Sequence, residues 1–150
     1  MPVTMHDVLV EIDRDEPDYA AIAALGADAL PHLSALVDAD DGLRAAKAAY
    51  AVTMIGGAGS ADILRTAAGH QDAQVRVAVA HGLRSPLAEA PAGVLEGLLD
   101  DADVGVRKIA VAAVGDLGRA DLRDKVAAIA ADDPHEFLRD AAAAQVRTLK

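Results

Sequence analysis

The chain has 150 residues and a mass of 15.3 kDa, room for one core and too little for two independent domains. It is 53% hydrophobic, yet 36 residues are alanine and only Tyr19, Tyr50 and Phe137 are aromatic, a composition that points to closely packed helices. The absence of cysteine excludes disulfides, a thiolate nucleophile and cysteine-ligated zinc, and a net charge of -10 opposes nonspecific binding to nucleic acid or anionic membranes.

His6, Asp7, Glu11 and Asp13 stand at the N-terminus, where a secretory signal places basic residues and then an apolar run. The longest uncharged run, Ala48–Ala61, has 14 residues with three glycines, short of the roughly 18 apolar residues a membrane span requires. The expectation is a cytoplasmic protein with no membrane contact.

Along the chain an apolar-Arg pair recurs at Leu43-Arg44, Val75-Arg76, Val106-Arg107 and Leu138-Arg139, with arginine spacings of 32, 31 and 32. An aspartate precedes three of these arginines by four positions: Asp40, Asp72 and Asp103. In the fourth copy His135 holds that place, with Asp132 and Asp133 just upstream. Small residues follow each arginine, and an apolar-Gly pair closes the segment at Ile55-Gly56 and Leu117-Gly118, with Leu25-Gly26 extending the pattern backwards. Val106, Ala110, Ala113, Val114 and Leu117 fall on one helical stripe, so the segment after each arginine reads as a helix. A shorter helix precedes each, over Ala29–Val37, Ala61–Ala68, Ala92–Leu99 and Leu122–Ala131.

The unit is a helical hairpin of about 31 residues. Five units, at residues 5–26, 27–56, 60–84, 91–118 and 120–149, fill one domain. A single hairpin leaves apolar faces uncovered, so the predicted fold is all-α: an α-solenoid of stacked hairpins. Ser85-Pro86 replaces the Leu-Gly ending of the third unit, which makes the junction to the fourth the expected irregularity.

An apolar residue, Arg, small residues and then Leu-Gly, preceded by Asp, resembles a HEAT repeat, and the short period resembles the repeats of phycobilin-lyase-type HEAT proteins. The likeness covers essentially the whole chain and implies a fold, not a function. It implies that Arg44, Arg76, Arg107 and Arg139 tie turns to helices within or between neighbouring hairpins, with Asp40, Asp72 and Asp103 at the turns. Lys47 departs from the pattern, which prefers alanine there.

Three motifs invite chemistry and are better read structurally. His135-Glu136 is a single dyad, whereas HEAT-like di-iron hydroxylases use several; with Asp133 and Pro134 it reads as a helix start, Pro134 taking the first helical position. The glycines of Ile55-Gly56-Gly57-Ala58-Gly59-Ser60 lack the Lys and Ser/Thr of a phosphate-binding loop and read as a turn, with Gly56 the C-cap of one helix and Ser60 the N-cap of the next. Ser34, Ser60 and Ser85 have no histidine at a recognisable spacing. No cofactor or metal is expected.

In HEAT-like solenoids the second helices line the concave surface. Counting from each arginine, the face opposite the packing stripe holds Ala45, Ala48, Ala49 and Val52, then Val77, Ala80, His81 and Arg84, then Lys108, Val111, Ala112 and Gly115, and finally Asp140, Ala143, Ala144 and Arg147. These helices carry eight cations against Asp116 and Asp140. The sequence therefore suggests an apolar groove with a partly basic rim, suited to an amphipathic or acidic protein segment, with Val77, His81, Arg84, Lys108, Val111 and Arg147 as contacts. Self-association at the solenoid ends is compatible with this reading. The alternatives are a subunit of an enzyme resembling the bilin lyases, short of aromatics for a chromophore pocket, and a nucleic-acid-binding helical-repeat protein, which the charge and the lack of tryptophan disfavour.

Overall fold

The computed structural model describes residues 2–85 and 88–149; Pro86 lies outside them. Ten α-helices follow in order: α1 (Met5–Ile12), α2 (Tyr19–Leu25), α3 (Leu30–Asp38), α4 (Gly42–Ile55), α5 (Ser60–Ala68), α6 (Ala73–Gly82), α7 (Val94–Leu99), α8 (Val104–Leu117), α9 (Arg123–Asp132) and α10 (Glu136–Thr148). Short 3-10 turns at Gly26–Ala29 and Ala120–Leu122 lead into α3 and α9. Odd-numbered helices pack on one another in one layer and even-numbered helices in a second, each hairpin bridging the two. The apolar stretch Tyr19–Asp38, with 20 residues and a mean hydropathy of 1.5, is long enough to cross a membrane by composition. It bends at Gly26, where φ is 72°, and packs Ile22, Leu30, Leu33 and Val37 into the core.

Alanine in the second layer brings helices close together. Ala45, Ala48, Ala49 and Val52 of α4, expected on an open face, are fully buried beside Ala51 and are packing surface. Gly82 of α6 lies so near α4 that a Cβ there would stand 2.6 Å from Thr53 Cγ2 and 2.7 Å from Thr53 Cβ. Gly115 of α8 is crowded in the same way by Gln145 of α10. In the third unit α6 has 10 residues where α4 and α8 have 14; the junction to the fourth unit, the expected irregularity, falls partly outside the described residues.

The helix caps keep a stricter period than the arginines. From α4 onward the second-layer N-caps are Asp41, Asp72, Asp103 and His135, spaced by 31, 31 and 32 residues. Asp41, not Asp40, caps α4, its Oδ1 accepting from Arg44 N–H at 3.1 Å. Counted from the caps, Arg44 is one position out of register with the other arginines, and Ala45 holds their place.

That displacement decides what each arginine reaches. Arg76 donates through Nε and Nη2 to Asp101 of the next hairpin at 2.8 and 3.1 Å, and through Nη1 to the carbonyls of His70 and Gln71. Arg107 repeats the pattern one unit on, reaching Asp133 at 2.8 and 3.4 Å and the carbonyls of Asp101 and Ala102. Each acceptor aspartate also takes the backbone N–H of the cap two residues later. Arg44 turns backwards instead, to Asp13 of the first unit at 2.9 and 2.8 Å. The forward rung between the second and third units is missing on both sides, because Ala45 replaces the donor and His70 the acceptor.

Two helix starts differ from expectation. Pro134 precedes the N-cap of α10, so Glu136 takes the first helical position. Gly59 occupies the N-cap position of α5, while Ser60 is helical and donates its Oγ–H to the Gly57 carbonyl at 2.7 Å. Gly56 ends α4 with φ 68°, as expected of a C-cap glycine.

Burial alone would push the Asp133 carboxyl up, but hydrogen bonds from Arg107 and the His135 backbone, with the Arg107 charge, hold it below the usual carboxylate range. A depressed folded value stabilises the fold fully above the unfolded value of about 3.9 and ceases to do so as pH falls through the folded value. Urea melts from neutral to acid pH are therefore expected to show a shallower acid limb for Asp133→Asn than for wild type. At neutral pH Arg107→Ala, which strands a buried carboxylate, is expected to cost about 2–4 kcal/mol. Arg84→Ala, which breaks a half-exposed pair with Asp116, is expected to cost less than about 1 kcal/mol. Gly82→Ala should destabilise by about 1–3 kcal/mol through overpacking against Thr53. Gly97→Ala in α7, where a Cβ meets nothing within 4 Å, should gain about 0.5–1 kcal/mol in the same melts.

Candidate functional site

The cap register also sets which residues face outward from the second layer. Nine positions after their caps stand Tyr50, His81, Ala112 and Ala144. Tyr50 and His81 stack with ring centroids 5.6 Å apart and planes 25° from parallel. Tyr19, at the start of the shortened α2, meets the other side of Tyr50 edge-on at 4.6 Å and 65°. Burial, with a smaller effect from Tyr50, pushes the Tyr19 hydroxyl up from its ordinary value.

These rings form one wall of an open groove of about 500 Å³ across α2, α4, α6 and the start of α8. Ala46, Val77 and Ala78 give it an apolar floor, and Lys47, Gln74 and Asp103 supply its polar positions. Lys47 also donates to the Arg14 carbonyl at 3.5 Å. Further along the same layer Lys108 lies 6.0 Å from the centre of the Phe137 ring, a spacing suited to a cation–π contact. His135 meets that ring edge-on at 5.7 Å, so all three aromatic residues of the chain stand on the second layer or at its turns.

The predicted contacts divide. Val77 and His81 line the groove, and Lys108 is exposed beyond it beside Phe137. Val111 is 1% exposed and belongs to the core; the position four after the arginine, taken as open, is packing surface, as Ala80 shows in the third unit. Arg84 Nε donates to Asp116 at 2.7 Å, which joins α6 to α8 and leaves it no free charge for a ligand. Arg147 is exposed on α10 but does not line the groove. Half of the eight cations on these helices are neutralised, since Arg44, Arg76, Arg84 and Arg107 sit in ion pairs.

Tyr19 and Tyr50 are the groove residues that counting from the arginines misses. Their signal was present: Tyr19, Tyr50 and His81 are separated by 31 residues each, the period of the repeat. Among the described residues no group of three His, Asp or Glu side chains is placed to hold a metal ion. The groove offers stacking surface, small apolar side chains and a few hydrogen-bonding groups.

No protein-family profile matches the sequence, and no curated protein does. The fold does match: the complex of CpcE and CpcF of phycocyanin lyase from Nostoc sp. PCC7120 contains a chain that superposes with a TM-score of 0.72, at 20% identity, over 94% of this chain and 96% of that one. The protein therefore has the all-α, HEAT-like helical-repeat fold of a phycobilin lyase subunit. At that identity the likeness concerns the architecture.

Proposed function

We propose that this protein works by binding, docking an amphipathic segment of a protein partner in the ring-walled groove of its second helix layer. The observation that carries the reading is the stacked Tyr19, Tyr50 and His81 beside the apolar floor of Val77 and Ala78. Rigid aromatic side chains supply contact area at low conformational cost and are the residues in which binding energy concentrates. Lys47 gives the segment's acidic residues a place at the edge of the groove. The fold supports a protein partner, since the matching chain was solved in a complex of two subunits.

A second reading has a specific observation behind it. The likeness to CpcE and CpcF, together with three rings gathered on one groove, favours a lyase-type complex subunit that handles a bilin. The two readings share a surface and differ in its occupant.

Affinity capture from native extract with wild type and with Tyr50→Ala/His81→Ala separates them from each other and from a purely structural role. The double variant is expected to lose its partner by at least about tenfold while its helical circular dichroism stays at the wild-type level. Identical partner sets from both proteins count against the groove. A free bilin added to the purified protein is expected to leave its absorption spectrum unchanged under the first reading and to shift it under the second.

A further inference from the structure

Two clefts between successive turns occupy the same place in the repeat. In the fourth unit the three residues before the cap of α8, Asp100, Asp101 and Ala102, face Asp133, Pro134 and His135 of the next hairpin across about 610 Å³, and Arg107 lines the space between them. In the second unit the three residues before the cap of α4, Asp38, Ala39 and Asp40, face His70, Gln71 and Asp72 across about 130 Å³. The register matches on both sides, since His135 and Asp72 are each the cap of the following second-layer helix. The two clefts differ in one donor: Arg107 stands four positions after its cap, and Ala45 holds that position in α4.

Arg76 and Arg107 each give Nη1 to the carbonyls two and one positions before their caps, and Nε and Nη2 to a carboxylate across the junction. The corresponding carbonyls in the second unit belong to Ala39 and Asp40. Across the junction the carboxylate has moved from position 70 to Asp72. Asp72 caps α6 through Oδ1, which accepts Gln74 N–H at 2.9 Å, and turns Oδ2 back to the start of α4, where a Cβ on Gly42 would collide with it. His70 keeps the turn closed in place of a carboxylate: its Nδ1 accepts Asp72 N–H at 2.9 Å, the bond that Asp101 and Asp133 accept in their own turns. Asp38 and Asp40 add two further carboxylates. Among the described residues no arginine or lysine pairs with Asp38, Asp40 or Asp72, and Arg44, the nearest in sequence, is held by Asp13.

These acceptors call for a cation, and their arrangement selects which one. Among the described residues no three such side chains converge to hold a metal ion. Carbonyls on one side and a carboxylate on the other instead suit a planar fork of N–H donors, and the same register receives a guanidinium twice elsewhere in this chain. We infer that the cleft binds the guanidinium of an arginine side chain carried by a protein partner, which supplies from outside the rung that Ala45 cannot. Free arginine suits it less, because its α-carboxylate would meet the charges of Asp38 and Asp40. The cleft shares no lining residue with the groove, so the two proposals stand or fall independently.

Amide NMR titration of the full chain with N-acetyl-arginine N-methylamide, up to about 50 mM at constant ionic strength, tests the inference. The expected result is a set of saturable shifts confined to residues 38–42 and 70–72, with a Kd of about 1–10 mM. The matching lysine compound and free arginine should each bind at least about threefold more weakly. The double variant Asp40→Asn/Asp72→Asn removes two charges and leaves α6 an asparagine cap. It should bind at least about tenfold more weakly while its helical circular dichroism stays at the wild-type level. Ala45→Arg, which brings a guanidinium to the cleft from within, should abolish the shifts. Lack of saturation, equal binding of the lysine compound, tighter binding of free arginine, or an unchanged Kd in the asparagine pair or in a folded Ala45→Arg protein overturns the proposal.

Discussion

The stacking of the later hairpins depends on the buried pair formed by Arg107 and Asp133. Its side chains are 13% and 4% exposed, and each member makes further bonds: the guanidinium to two carbonyls of its own turn, the carboxylate to the cap of the next helix. One arginine thus fixes a turn, a helix start and the seating of the following hairpin. A buried charge pair is costly unless its remaining donors and acceptors are satisfied, and the turn geometry meets that condition. Arg76 and Asp101 do the same one unit earlier, at 16% and 9% exposure.

Where the rung is absent, packing takes over. Between the second and third units Ala45 and His70 replace arginine and aspartate, and there Gly82 is set directly against Thr53. A rung binds turns at one edge of the stack, whereas a glycine contact joins helices along their length. The protein uses both to meet the requirement of every solenoid, that each unit be held by its neighbours. Arg44, freed from the forward ladder, secures the short first unit through Asp13.

The groove follows from the same register. Once Asp41 and Asp72 set the starts of α4 and α6, the ninth position after each points away from the core, and the sequence has put rings there. After the third unit the series turns to alanine at Ala112 and Ala144, so the stacking surface ends where α8 begins. Beyond it Lys108 and Phe137 form a separate, cationic contact. The ring-lined groove lies over the first three units and the interlocking turns over the last three.

The sequence by itself determined the class of fold and the spans of α3, α5, α7 and α9 to within two residues, because apolar periodicity, capping aspartates and C-terminal glycines are local signals that repeat. It also held the three rings at one period. Their meeting was decided by tertiary structure, since the outward direction of a helical residue depends on the neighbour the helix packs against. A one-residue offset between Arg44 and its cap rotates that direction by about 100°. The same offset turned Ala49 and Val52 from an expected open face into core. Which arginines are free was likewise beyond the sequence: the partners of Arg84 and Arg107 lie 32 and 26 residues away, in other hairpins, and only stacking brings those carboxylates within reach.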